Sequence, residues 1–156
     1  MRQLLTGVAV LASLASGTAA QAPKSAHVLM TADQIKWGAP PPVFEKGAEF
    51  ALVSGDPGKT GFFVVRLKMP AGYQIKPHWH PTDEHVTVIS GTFSVGMGEK
   101  VDKAGLKALP AGGYVLLPAE SRHFAIATTA TEVQVMGNGP FVLTYVNPAD
   151  DPSKRK

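Results

Sequence analysis

From Glu49 onward, turn-forming residues interrupt the chain about every ten residues, and the stretches between them alternate apolar with polar side chains. "FFVVRLKM" shows the pattern plainly: Phe63, Val65, Leu67 and Met69 fall on one face, Arg66 and Lys68 on the other. Side chains that repeat with a period of two belong to a strand with one buried face. "EFALVSG", "YQIKPHWH", "EHVTVIS", "GTFSVGMG", "YVLLP", "HFAIATT", "TEVQVMG" and "FVLTYVN" continue the series. Short strands with glycine and proline between them predict an all-β sandwich or barrel. A longer connection around Gly105-Leu106-Lys107 has room for a helical turn.

The residues before Glu49 read differently. Met1-Arg2 is a short cationic start, Leu4 to Leu14 is apolar with small residues, and "SGTAAQA" offers small-residue cleavage sites. This three-part form predicts a secretory signal peptide over residues 1–20, cleaved after Ala20. Its apolar run of about 11 residues is too short to cross roughly 30 Å of hydrocarbon as a helix. The mature chain is therefore expected in the periplasm or outside the cell, with no membrane span. Residues 21–48 form an N-terminal extension, where Thr31-x-x-Gln34 spells a capping box and predicts one short helix or helical turn. The prolines of "GAPPPVF" end it. Residues 49–148 form the single β domain, and 149–156 a solvated, mobile basic tail.

The chain has no cysteine. That excludes a disulfide framework, a thiolate metal ligand and a thiol nucleophile. The formal charge of +3 includes Arg2 and the Lys154-Arg155-Lys156 end. Basic residues are otherwise scattered and not interleaved with aromatics, so no nucleic-acid partner is expected.

One stretch, "GYQIKPHWHPTDEHVTVISG", concentrates chemistry. In a strand His78 and His80 point the same way, with Trp79 opposite. Glu84 follows the turn-forming "PTD", so the chain can bring its carboxylate back beside both imidazoles. Two nitrogen donors and a hard oxygen on adjacent strands suit a divalent first-row metal. His123 in "GGYVLLPAESRHF" begins a later strand and offers a fourth ligand.

These two segments resemble the paired motifs of the cupin family. The first motif (a glycine, five residues, HxH, three or four residues, a glutamate, six residues, a glycine) is met by Gly72, His78, His80, Glu84 and Gly91. The second is met by Gly112, Pro118 and His123, but Glu120 stands where the motif has a glycine and Ala127 where it has an asparagine. The likeness, carried over residues 60–130, implies a single-domain cupin β-barrel of the double-stranded, jelly-roll-like kind. It implies His78, His80, Glu84 and His123 as ligands of one divalent transition metal: iron, manganese, zinc, nickel or copper. It also implies a homodimer. Glu120 must take up the backbone angles of a glycine or form another turn, which leaves the approach of His123 the least secured part of the site.

Three neutral imidazoles and a carboxylate leave a dication with net positive charge, and an octahedral ion keeps two free positions. A small, anionic molecule such as a hydroxy-, keto- or dicarboxylic acid would fit them; zinc with four protein ligands would instead be structural. No second arginine precedes the apolar run, so the chain is expected to cross the membrane unfolded and to take its metal outside, where affinity favours copper and zinc. Gln74 and Lys76 share parity with the two histidines and would face the cavity, Lys76 beside a substrate carboxylate, unless Pro77 distorts the strand. His85 should point away from the metal, Trp79, Phe62 and Val64 should lie outward, and Tyr73 and Tyr145 are hydrogen-bond donors with no assigned place. Two functions follow. One is a metal-dependent enzyme on a small carboxylated or enolisable molecule, an oxygenase first and otherwise an isomerase or decarboxylase. The other is a non-catalytic periplasmic binding protein or metal-stabilised structural cupin.

Overall fold

The computed structural model describes residues 27–155; the expected signal peptide at 1–20 and the first part of the extension lie outside them. The strands are β1 (Glu49–Ser54), β2 (Gly61–Met69), β3 (Gln74–Trp79), β4 (Glu84–Ser90), β5 (Thr92–Met97), β6 (Lys107–Pro110), β7 (Tyr114–Leu117), β8 (His123–Ala127), β9 (Thr131–Gly139) and β10 (Thr144–Tyr145). They form two five-stranded sheets, in the orders β1-β2-β9-β4-β7 and β10-β3-β8-β5-β6. Every pairing is antiparallel.

The alternation read from the sequence decides what lies between the sheets. Phe63, Val65 and Leu67 of β2, with Val86 and Val88 of β4, meet Ile75, Phe93 and Val95 from the opposite sheet in one continuous core. Gly96 makes room for the Phe124 ring, which is buried outside that cluster and which a Cβ at Gly96 would strike. Gly91 turns the chain between β4 and β5 at φ +76°, where a side chain would also strike the Ala130 carbonyl.

Four expectations change. The short N-terminal helix is a single 3-10 turn, Ala32–Gln34, with the Gln34 side chain accepting the Thr31 N–H at 2.9 Å. The sequence reading missed β6, a mostly exposed edge strand beside β5. Only Leu109 of its four residues packs against the core, too few to give a period-two signal. Of "FVLTYVN" only Thr144–Tyr145 is strand.

The stretch expected to be a mobile tail from residue 149 is instead held in two 3-10 turns, Pro148–Asp150 and Pro152–Lys154. Asn147 and Asp151 cap them through the N–H groups of Ala149 and Ser153. Arg155 then reaches back to the Glu45 carboxylate at 2.6 Å and the Asp150 carbonyl at 3.0 Å.

This contact is one of several that fix the N-terminal extension. Gly38 bridges to Phe50 of β1, Tyr73 donates to the Glu45 carbonyl at 2.8 Å, and Tyr145 donates to the Val43 carbonyl at 2.9 Å. The extension is thereby laid along the barrel as a strap. Among the described residues no helix is long and apolar enough to cross a membrane.

Candidate metal centre

His78 lies in β3 and pairs directly with His123, the first residue of β8. His80 sits just past the end of β3, and Glu84 is the first residue of β4 in the opposite sheet. The barrel therefore closes these four side chains onto one point from both sheets. One donor atom from each lies within 4.8 Å of all the others, and all four residues are buried.

Each imidazole is oriented by a backbone carbonyl. The Nδ1–H groups of His78, His80 and His123 donate to Lys76 at 2.7 Å, Val142 at 2.9 Å and Ser121 at 2.9 Å. A carbonyl can only accept, so the proton of the neutral ring sits on Nδ1 and the Nε2 lone pair faces inward. Glu84 Oε2 lies 3.2 Å from His123 Nε2 and 3.4 Å from His80 Nε2. His80 Nε2 is nevertheless buried with no hydrogen-bond partner.

Burial, then the neighbouring His123 and His80, pushes the His78 imidazole down to about 3. Burial also lowers His80, against the pull of Glu84. For Glu84, burial alone would raise the carboxyl. The neighbouring His123, His80 and His78 rings outweigh it, and the carboxyl is held below its ordinary range. An ionised carboxylate facing inward lone pairs is a costly thing to bury without a partner. An orphaned Nε2 among such donors fits a divalent first-row cation.

A cavity of about 130 Å³ opens beside His78, His80 and Glu84. Its walls are apolar: Phe63, Val65 and Leu67 from the barrel, Phe141 and Leu143 from the segment before β10, and Phe44 from the strap. Among the described residues no other ionisable side chain lines it.

Gln74 and Lys76 do not face this cavity. The β3–β8 register slips between Ile75 and His78. Pro77 sits inside that slip and has no N–H for the ladder. Ile75 and His78 consequently both point inward, which inverts the parity upstream, and Lys76 donates instead to Gln74 Oε1 at 3.1 Å. His85 points outward, with Nδ1 2.7 Å from the Tyr114 hydroxyl. Phe62 is exposed, as its parity required.

Glu120 takes the glycine's place in the glycine's conformation, at φ 61°, and its N–H donates to the His80 carbonyl at 2.7 Å. Ala127 is fully buried and donates to the Tyr73 carbonyl at 2.9 Å, far from any polar role. Sequence reading missed the strap residues on the cavity wall and the contacts of Phe141 and Val142 with His80. Phe141 and Val142 lay in "FVLTYVN", which read as another strand, and Phe44 in "GAPPPVF", which read only as the end of a helix.

A family model described as the ChrR cupin-like domain matches residues 25–142. No curated protein matches the chain. Among solved structures, a protein provisionally named acetylacetone dioxygenase from Methylibium petroleiphilum PM1 is 25% identical, with a TM-score of 0.66 over 85% of this chain and 89% of that one. An acetylacetone dioxygenase from Acinetobacter johnsonii is 15% identical, at TM-score 0.64 over 87% of each chain. The polyketide cyclase RemF from Streptomyces resistomycificus is 15% identical, at TM-score 0.63 over 84% of this chain and 90% of that one. The last two likenesses speak to the fold alone.

Proposed function

The chain belongs to the family of the ChrR cupin-like domain, a cupin, and from that premise we propose that it is a metal-dependent enzyme of oxygenase type acting on a small enolisable molecule. The observation that carries this reading is the convergence of three inward Nε2 atoms and one carboxylate at the edge of an apolar cavity. His78, His80, Glu84 and His123 would hold one divalent transition metal. When bound, that ion supplies a Lewis-acidic and redox-capable centre.

The protein's own part is placement and exclusion. Three carbonyls fix the imidazoles, and Glu84 offsets part of a dication's charge. Phenylalanine and aliphatic walls keep water from the reacting molecule. The size is informative: an apolar cavity of about 150 Å³ takes up benzene, so about 130 Å³ suits a molecule of similar size.

The charge of the lining is informative too. With Lys76 turned away, no cationic side chain among the described residues lines the cavity to meet a carboxylate. This favours a substrate that is uncharged in solution, such as a small dicarbonyl, over the anionic acid expected from sequence. The likeness to the Methylibium protein supports the same class.

The test is elemental analysis of the purified protein, followed by oxygen-uptake assays with acetylacetone, other small dicarbonyls, carboxylic acids and catechols. One iron, manganese, nickel or copper per chain with uptake on a dicarbonyl is expected. A second reading, a binding protein or metal-stabilised cupin without turnover, is favoured by the lack, among the described residues, of any further acid or base on the cavity wall. One zinc per chain and no uptake on any of these compounds would establish it and sink the first.

Two further points belong to the proposal. The signal-like N-terminus supports export to the periplasm, which processing after Ala20 in a periplasmic extract would test. Exposed Phe62, Tyr114 and Leu116 on the outward side of one sheet support a homodimer, which sedimentation would test.

A further inference from the structure

His80 is the one imidazole of the cluster that its own strand does not hold. The Nδ1–H groups of His78 and His123 donate to carbonyls two residues earlier in the chain. His80 lies past the end of β3, and its Nδ1–H donates to Val142, 62 residues away. The Phe141 ring lies flat on the same imidazole, with centroids 4.0 Å apart and planes 13° from parallel. Phe141 is fixed in turn: its N–H donates to the Pro57 carbonyl at 2.7 Å, and its ring lies 5.0 Å from that of Phe63. One short segment, between the ends of β9 and β10, grips both the edge and the face of a single ring.

The second side-chain torsion of histidine is broad and roughly two-fold, so the ring needs outside contacts to keep Nε2 on target. We propose that Phe141 and the Val142 carbonyl are positioning groups that aim His80 Nε2 at the cluster, so that the site gains this donor only while segment 140–143 is docked. The inference rests on the reading that the four side chains hold a divalent metal. It assigns a role in metal binding to residues that touch no metal, and that a sequence pattern presents as an ordinary apolar strand.

The experiment titrates metal-free protein with cobalt(II), reading affinity by equilibrium dialysis and coordination by visible absorption. Partners that orient a metal-ligating histidine are typically worth 10–100-fold in affinity. Phe141→Leu is therefore expected to weaken cobalt binding by about tenfold or more and to change the absorption bands. Phe141→Tyr, which keeps a stacked ring, should retain the parent's affinity. In a His80→Ala background Phe141→Leu should cause no further loss, because the group it aims is gone. Should the leucine variant not fold, as judged by circular dichroism, Phe141→Met takes its place in the same cycle. Unchanged affinity and spectrum in the Phe141 variant, or a loss that adds to that of His80→Ala, would overturn the clamp. If His80→Ala alone binds cobalt as the parent does, the metal reading itself falls.

Discussion

Two acidic residues bracket what a single side chain does in this protein. Glu84 is a buried carboxylate whose oxygen lies 3.2 and 3.4 Å from two imidazole nitrogens. If it served as an ordinary ion-pair partner, Glu84→Gln would destabilise the protein whether or not metal is present. If it is a ligand, the metal-free variant should also melt below the metal-free parent, because the fold favours this carboxylate in its ionised form, but the response to metal changes too. The rise in melting temperature that a bound metal confers should be lost with it. Melts with and without added metal distinguish the two. Glu120 is a different case. It holds φ 61°, a left-handed conformation costing a side-chain-bearing residue roughly 1–2 kcal/mol. Glu120→Gly should relieve that strain, less about 0.4–1 kcal/mol for the freer unfolded chain, for a net gain of up to about 1 kcal/mol in urea denaturation. A loss of stability would mean that the Glu120 side chain has a contact worth more than the strain.

At the scale of elements, the strap and the segment before β10 matter more than any strand. Both lie outside the sheets, yet together they form one side of the cavity and hold one of the four candidate ligands. Their fastening is a few side chains: Tyr145 to the Val43 carbonyl, Tyr73 to the Glu45 carbonyl, Arg155 to the Glu45 carboxylate. Tyr145→Phe removes one such bond to a half-buried residue, at a cost of about 1 kcal/mol. Faster amide hydrogen exchange is expected in the strap near Phe44, with exchange in β2 and β9 little changed. Uniform acceleration through the barrel would show that the tyrosine supports the core and not the strap.

The whole molecule couples its stability to pH through the same cluster. His78 is held at about 3, against an ordinary value of 6.5. Between those values the unfolded chain binds a proton that the folded chain refuses. Metal-free protein should accordingly be at full stability above about pH 6.5 and lose it steadily as the pH falls from there. His80 is lowered in the same direction, and Glu84, held below 4.5, adds to the loss further down. Circular-dichroism melts of metal-free protein from pH 8 to pH 4 measure it. A melting temperature that stays level between pH 6.5 and pH 4.5 would show that the imidazoles are not buried neutral in solution.

Some of this was readable in advance because it depends on local order. Alternation in "FFVVRLKM" dictates which face of β2 is buried, and HxH followed by Glu84 puts three donors at the junction of two strands consecutive in the chain, which the fold then places in opposite sheets. Those patterns, with His123, were enough for the barrel and for the four residues it brings together. The proline in β3 was visible, but not the direction in which it would turn Lys76, because a register slip is settled by the partner strand. The edge strand β6 left no periodic trace, since only Leu109 of its four residues packs against the core. The strap over the cavity, the docked C-terminal turns and the ring of Phe141 on His80 were legible nowhere. Each depends on contacts between distant parts of the chain, and such contacts exist only once the sheets have closed.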